Sequence, residues 1–459
     1  MLLMVTGGVN VADATILHIG LEINYTGNVY VYYFGGTNST TWDSEPTATY
    51  DGVLYGRRWY HIDIYNNTSA IVRFKDNNWN DRGREVSDIS GDDCYIYVSS
   101  EETNEYIDGN KVWNTGKLAS KGWQTMKFSN DVDNKWDDDA FECTKVDDNT
   151  FTYTLTKEQI DAANKTTIYF RYKLANGVFF VNNNYWNDHF FRLGSNDSQN
   201  GNVEINVAQS ITNNSYTTDQ QKNWYVNVPT YNYEKLVFTI QDVTSGSDFN
   251  NSTWKVSVDA YISKTVSGVN QYATFGTTVP VDLSYLGSVT AYTATADAST
   301  GKITKVAKSD ALAANEGVLL ENLTGSNITL SIPVAASANA SASNNLKAYT
   351  GGNAKLAQVT ETGYTNYILS KDGTGNVGFF KVNGTSGNTM GANTAYLQVQ
   401  DAPNSTARNF FSFLDEETTG INAVENAKME GAAYNLNGQR VAQPAKGLYI
   451  VNGKKVILK

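Results

Sequence analysis

The chain has 459 residues, a formal net charge of −12, and 12% aromatic against 18% charged residues. A length of about three ordinary domains predicts a multidomain protein. An acidic chain with no basic cluster before its last few residues argues against nucleic acid and anionic membrane surfaces as partners, since both attract Lys and Arg. An uncharged polymer can be bound by stacking and hydrogen bonds alone. β-Branched and aromatic residues dominate the apolar runs, which predicts an all-β fold of tandem β-sandwich modules.

In chain order, the sequence predicts five segments. Residues 1–22 are an atypical N-terminus without the charged and continuous apolar regions of a signal peptide, and we expect sequence upstream of it to be missing. Residues 23–100 form a first β-sandwich, residues 101–265 a second, and residues 266–416 a third. Residues 417–459 form a linker and a small C-terminal β domain. No run is long and apolar enough to cross a bilayer, so membrane insertion is not expected.

The first module contains a strand with an aromatic face. Alternation along Val29–Phe34 puts Tyr30, Tyr32 and Phe34 on the same side of this strand. Trp42 follows among polar residues, in a loop where an exposed ring is expected.

The second module echoes the first. The run Phe-Lys-Asp-Asn-Asn-Trp-Asn-Asp at 74–81 returns loosely as Val-Asn-Asn-Asn-Tyr-Trp-Asn-Asp at 181–188. Each copy follows an aromatic-containing strand, which favours a diverged tandem repeat; the alternative is a chance match of the short Trp-Asn-Asp. A single helical turn is predicted at 157–163, within the same module.

The C-terminal segment carries a dense motif. Asn-Leu-Asn-Gly-Gln-Arg-Val at 435–441 precedes Lys-Gly-Leu-Tyr-Ile-Val-Asn-Gly-Lys-Lys-Val at 446–456, with a hairpin turn at Asn452-Gly453. This motif resembles the C-terminal sorting domains of Bacteroidetes type IX secretion cargo, especially Prevotella-like ones. The resemblance implies that the type IX secretion machinery is a partner and that the protein is extracellular or on the outer-membrane surface. The alternative is a small hairpin that closes the third module.

The first module resembles starch-binding modules of carbohydrate-binding family 26. The family pattern is a Tyr-x-Tyr strand, a nearby Trp, a Trp-Tyr strand and a Phe-x-Asp/Asn-rich turn, found here as Tyr30-Val31-Tyr32, Trp42, Trp59-Tyr60 and 74–78. A departure is Asp-Ser-Glu-Pro at 43–46, where the family more often has Pro and Gly. The third module resembles β-sandwich domains that follow glycan-active regions in Prevotella and Bacteroides surface proteins.

The starch-binding resemblance implies a set of ligand-binding residues. Sugars stack their CH faces on aromatic rings while side-chain amides bind their hydroxyls. The implied stacking surface is Tyr30, Tyr32 and Trp42; the implied hydrogen-bonding and flanking residues are Asn77, Asn78, Trp79 and Asn80. In the second module the echo extends this role to Tyr185, Trp186 and Asn187. The alternative is that these aromatic residues belong to the hydrophobic core. We expect a core position for Trp59 and Tyr60, which lie in mid-strand.

Catalysis finds little support in the sequence. A glycosidase needs two carboxylates that flank the scissile bond, whereas the acidic residues of 131–139 lie in a polar turn that resembles a solvated loop more than a calcium site. The three histidines are isolated in sequence, so we expect no metal and no cofactor. Cys94 and Cys143 lie far apart, and a single bridge between them stays an alternative.

The preferred interpretation is therefore non-catalytic binding of starch or a related α-glucan, with an amylase-type catalytic domain in the missing upstream sequence as a further expectation. The alternatives are a structural or adhesive surface protein and a module for another glycan such as xylan. Exposure of the rings separates the first two classes, because an adhesin should bury Trp42 and Trp79.

Overall fold

The computed structural model describes residues 15–21, 27–42, 44–74, 81–107, 110–136, 139–174, 190–191, 201–211, 223–244, 253–352, 354–373, 375–402, 407–412, 421–424, 433–435, 439–441, 447–451 and 454–458. Over these residues the fold is all-β, as predicted, and its only α-helix is short. None of the helices in this part of the chain is long and apolar enough to span a membrane. The chain divides into two compact units, residues 1–263 and residues 264–459.

An eight-stranded sheet opens the first unit. Its strands are β1 (Ile16–Leu21), β2 (Val29–Phe34), β3 (Thr49–Leu54), β4 (Arg57–Asp63), β5 (Ser69–Phe74), β6 (Asp81–Gly83), β7 (Asp93–Ile107) and β8 (Asn110–Leu118), in the spatial order β2-β5-β6-β8-β7-β1-β4-β3. One buried cluster includes Val31 and Val72 from one end of this order and Ile19 and Tyr60 from the other. The sheet therefore curls around a single core. It includes β1 and β8, which lie outside the range 23–100.

Two further sheets face each other in the rest of the first unit. One contains β9 (Met126–Asn130), β10 (Phe141–Glu142), β13 (Thr167–Leu174), β14 (Phe190–Phe191), β15 (Gly201–Asn202) and β17 (Trp224–Asn227). The other contains β11 (Thr144–Lys145), β12 (Thr150–Thr156), β16 (Gln209–Ile211), β18 (Lys235–Asp242) and β19 (Trp254–Val266). Phe128 and Phe170 of the first sheet both lie 4.9 Å from the ring of Phe238 in the second. These rings form the core of a β-sandwich.

The predicted helical turn is confirmed as α1 (Lys157–Ala162). Thr156 caps its N-terminus by accepting a hydrogen bond from the backbone N–H of Gln159, and the Gln159 side chain accepts one from the backbone N–H of Thr156. This reciprocal pair satisfies two amides that lack partners within the helix.

A nine-stranded sheet organises the second unit. It contains β20 (Tyr272–Gly276), β22 (Thr290–Asp297), β23 (Lys302–Ala307), β25 (Gly317–Glu321), β27 (Leu346–Ala348), β29 (Tyr364–Lys371), β30 (Val377–Lys381), β32 (Ala395–Gln400) and β33 (Phe410–Ser412). Shorter elements are β21 (Val281–Asp282), a 3-10 helix (Leu283–Tyr285), β24 (Ala311–Leu312), β26 (Ile328–Pro333), β28 (Lys355–Leu356) and β31 (Asn388–Thr389). Its core packs around Leu319, Tyr367, Phe379 and Phe411.

The C-terminal segment forms a five-stranded sheet of its own. Its strands are β34 (Ile421–Val424), β35 (Ala433–Tyr434), β36 (Arg440–Val441), β37 (Gly447–Val451) and β38 (Lys454–Leu458), in the order β34-β38-β37-β35-β36. The last two strands pair antiparallel, with Val451 opposite Lys454. The turn predicted at 452–453 lies outside the described residues.

Candidate functional site

The outer face of β2 carries three aromatic side chains in a row. The burial of this strand alternates, with its inner-face residues in the core and Tyr30, Tyr32 and Phe34 half-buried on the other side. The predicted alternation is therefore confirmed. Tyr32 and Phe34 touch, with ring centroids 5.2 Å apart and planes 30° from parallel.

Trp42 extends this row from the loop that follows β2. Its ring lies 4.8 Å from Tyr32 at an interplanar angle of 81°. Trp42 is half-buried, so part of its surface stays accessible to solvent. We call Tyr30, Tyr32, Phe34 and Trp42 the first platform.

A buried ion pair supports the first platform from below. Arg73 lies on β5, directly opposite Tyr30 in the antiparallel register. Its guanidinium sits 4.7 Å from the Trp42 ring centroid and donates a hydrogen bond to the Trp42 carbonyl (3.0 Å). It also pairs with the carboxylate of Glu45, and both of these side chains are almost fully buried. The pair fastens the loop to the sheet and leaves no net charge beneath the rings.

A second anchor fixes the start of the same loop. The buried side chain of Asn67 accepts hydrogen bonds from the Gly36 backbone N–H and the Ser39 hydroxyl, both at 2.9 Å, and donates one to the Ile64 carbonyl at 2.8 Å. Gly35 turns the chain out of β2 at a φ of 89°, a conformation that favours glycine. The loop is thus held in place before any ligand arrives, which lowers the entropy cost of binding.

The structure describes only part of the predicted site. Seven of its residues lie outside the described residues: Asn77, Asn78, Trp79, Asn80, Tyr185, Trp186 and Asn187. Of the other three, Tyr32 and Trp42 are in contact, and Tyr30 shares the outer face of β2 with Tyr32.

The aromatic residues expected in the core are found there. Trp59 and Tyr60 are only 1% and 3% exposed, and the Trp59 indole N–H donates to the Leu54 carbonyl at 2.8 Å. Trp59 in mid-strand is buried, whereas Trp42 in a loop is half-buried. The position of each tryptophan in a strand or a loop thus predicted its burial.

No family model, no curated protein and no solved structure matches this chain.

Several ionisable side chains of the described residues form hydrogen-bonded pairs. His18 and His61, isolated in sequence, lie opposite each other on β1 and β4 with ring centroids 6.5 Å apart. Hydrogen bonds join them to Asp93 (2.7 Å) and Asp51 (2.6 Å), respectively. Within the described residues, no three His, Cys, Asp or Glu side chains are arranged to hold a metal ion.

The acidic loop after β9 is tied to its own surroundings. Asp131 forms an ion pair with Lys165 at 2.7 Å, and Asp133 accepts weak hydrogen bonds from Asn130 (3.2 Å) and Tyr153 (3.4 Å). Burial, followed by the Asp133 carboxylate, raises the pKa of Tyr153 to about 12. These contacts account for the carboxylates of Asp131 and Asp133 as parts of the local fold.

Sequence reasoning missed the residues that position the platform. Arg73 and Glu45 are 28 positions apart, and nothing in their spacing indicates that they meet. The one available signal was the departure from the family pattern at 43–46. Glu45 falls within it, and an acidic residue there is explained by the arginine beneath the loop.

Proposed function

We propose that this chain is a non-catalytic binding protein for starch or a related α-glucan, and that its first platform stacks on the sugar rings. The single observation that carries the proposal is the contact of half-buried Tyr32 and Trp42 on a loop fixed by Arg73, Glu45 and Asn67. Half-buried aromatic rings on a neutral, preorganised surface suit a ligand with apolar faces and no charge.

The angles between the rings favour an α-glucan over a flat β-glucan. Tyr32 is tilted by 30° from Phe34 and by 81° from Trp42, so the three rings turn relative to one another. A ribbon-like β-glucan presents successive sugar faces that are nearly coplanar, whereas those of a helical α-glucan turn along the chain. A turning set of rings therefore matches the helical polymer.

Localisation forms a second part of the same proposal. We propose that residues 417–459 act as the sorting domain that directs the protein through type IX secretion to the cell surface or the medium. The C-terminal strands support this proposal, because they form a sheet that shares no strand with the nine-stranded sheet of the same unit. A glycan-binding protein needs such an exit to meet an external polysaccharide.

The decisive experiment is affinity electrophoresis of the full chain in gels that contain soluble starch, xylan or mixed-linkage β-glucan. We expect retardation by starch alone, and dissociation constants about tenfold higher in Tyr32→Ala and Trp42→Ala, equivalent to about 1.4 kcal/mol. Tyr285→Ala is the matched control, because Tyr285 is 60% exposed and lies in the second unit.

Each outcome separates the candidate functions. Retardation by xylan or β-glucan instead of starch would replace the ligand class while keeping a glycan-binding role. Equal mobility in every gel would leave a structural or adhesive surface protein as the better account. Equal losses in the platform variants and in Tyr285→Ala would show that the first platform is not the site.

A further inference from the structure

The sandwich of the first unit repeats one part of the construction that supports the first platform, a tryptophan packed over a buried arginine. In both places two antiparallel strands lie side by side, an arginine sits on the second strand, and a tryptophan from the loop after the first strand covers it. Trp42 follows β2 and covers Arg73 of β5 at 4.7 Å; Trp136 follows β9 and covers Arg171 of β13 at 4.9 Å. Both arginines are buried, at 4% and 3% exposure, and both tryptophans are half-buried.

The outer face of β13 adds an exposed ring beside this pair. The residues that alternate with it, including Phe170 and Tyr172, are fully buried in the sandwich core. Tyr169 and Arg171 therefore share the opposite face. Tyr169 is 36% exposed, which makes it one of the few large rings of the sandwich that reach solvent.

A second tyrosine continues the row on the neighbouring strand. Tyr225 of β17 is directly opposite Tyr169 in the register, and the two ring centroids lie 5.9 Å apart at 41°. Tyr225 is half-buried, whereas its neighbours on β17, Trp224 and Val226, are in the core. We call Trp136, Tyr169 and Tyr225 the second platform.

The loop that presents Trp136 is fixed at both ends of its turn, and the Asp131 carboxylate in it has a cationic partner. The Asp131 carboxylate accepts a hydrogen bond from the Tyr169 backbone N–H at 2.9 Å and pairs with Lys165 at 2.7 Å. Backbone hydrogen bonds in both directions between Asn130 and Lys135, at 3.1 and 3.2 Å, close the turn just before Trp136. The Asp131 carboxylate beside Tyr169 is thus neutralised within the protein and does not by itself attract a cationic ligand.

We propose that the second platform is a second glycan-binding site, which takes the same uncharged α-glucan as the first. This inference rests on the proposed function, and it assigns the site to Trp136, Tyr169 and Tyr225. Since both platforms belong to the first compact unit, a long polysaccharide that engages one of them meets the other at high effective concentration. The chain then binds polymers more tightly than short oligosaccharides.

Isothermal titration of the full chain with maltoheptaose tests the inference through stoichiometry. We expect two oligosaccharides per chain for the unmodified protein, and one for the first-platform variant Tyr32→Ala/Trp42→Ala. We also expect one for the second-platform variant Tyr169→Ala/Tyr225→Ala, which spares the covered Arg171. Combining the four substitutions should abolish binding, and either pair alone should weaken retention in starch gels by at least about tenfold.

The outcomes distinguish this inference from the proposed function. One bound oligosaccharide, lost on changing the first platform and unaffected by changing the second, overturns the second site and keeps the proposed function. No binding by the unmodified chain overturns both. Far-ultraviolet circular dichroism of each variant checks that it is folded. If Tyr169→Ala/Tyr225→Ala does not fold, the single variant Tyr169→Ala replaces it, because Tyr169 is 36% exposed, with the same expected loss of one binding event.

Discussion

Arg73 and Glu45 carry opposite charges where water scarcely reaches them, with side chains 5% and 0% exposed. Removal of one partner leaves the other charge buried without a counterion. Glu45→Gln should therefore destabilise the first unit by about 3 kcal/mol. Glu105→Gln is the control, because Glu105 pairs with Arg84 at 2.8 Å with both side chains half exposed, and its loss should cost less than about 1 kcal/mol. Urea unfolding followed by tryptophan fluorescence measures both. Equal losses in the two variants would contradict the support role assigned to the buried pair.

Lys264 gives the second unit a specific response to pH. Burial lowers the pKa of its amino group to about 8 from an ordinary value of 10.5, and the ammonium donates a hydrogen bond to the Asn393 carbonyl at 3.2 Å. The unfolded chain therefore binds more protons than the folded chain between these two values, so stability rises with pH in that range. The gain between pH 7 and pH 9 should be about 1 kcal/mol.

Lys264→Met tests this response by removing the titrating group while keeping most of the side-chain volume. The variant should be more stable than the unmodified chain at pH 7, and the difference should shrink by about 1 kcal/mol at pH 9. Lys302→Met, at an exposed position of β23, should show no such change. Differential scanning calorimetry of the full chain at both pH values measures it; a constant difference would mean that Lys264 keeps an ordinary pKa.

At the scale of elements, the sequence predicted the features that depend on neighbouring residues. It did not predict the contacts between segments that lie far apart in the chain. The strand at Val29–Phe34, its aromatic outer face and the short helix all depend on neighbours in sequence, and all three are confirmed. The pairing of β2 with β5 and the burial of Glu45 against Arg73 depend on how the sheet curls. A pattern that alternates every second residue carries no information about that curvature. The support of the first platform by Arg73 and Glu45 was therefore found only in the structure.

The residues of the second platform were also not predicted from the sequence. The sequence echo at 74–81 and 181–188 suggested that the two modules are related, and residues 75–80 and 181–188 lie outside the described residues. The structural recurrence involves Trp136 and Arg171, which have no shared motif with their counterparts beyond a Trp-Asp pair. The repeat suggested by the echo therefore stays a prediction, and the placement of Trp136 over Arg171 depends on the register of β9 against β13, which the sequence does not show.

At the scale of the whole first unit, Trp123 joins the eight-stranded sheet to the sandwich that follows it. The side chain is fully buried in the connection between β8 and β9. It packs against Tyr55 of the β3–β4 turn at 5.8 Å and Trp254 of β19 at 5.5 Å, and its indole N–H donates to the Asp242 carboxylate at 2.9 Å. Burial, followed by the nearby carboxylates, raises the pKa of Tyr55. One indole therefore holds side chains from both parts of the unit.

This joint should make the two parts unfold together. All nine tryptophans lie at or before position 254, so tryptophan fluorescence reports the first unit without the second. We expect one thermal transition for the unmodified chain. Trp123→Ala should lower stability by about 3–5 kcal/mol and split that transition in two, because the remaining contacts across the joint, such as Lys121 with Asp51 at 3.3 Å, are partly exposed.

Trp123→Phe separates packing from hydrogen bonding at the joint. It keeps an aromatic ring against Tyr55 and Trp254 but leaves the Asp242 carboxylate without the indole donor, which should cost about 1–3 kcal/mol while the transition stays single. A split transition in the unmodified chain would show that the sandwich and the sheet are independent. A single transition in Trp123→Ala would mean that other contacts couple them. Cooperative unfolding carried by Trp123 would instead mean that this side chain couples the stability of the sheet that carries the first platform to that of the sandwich that carries the second.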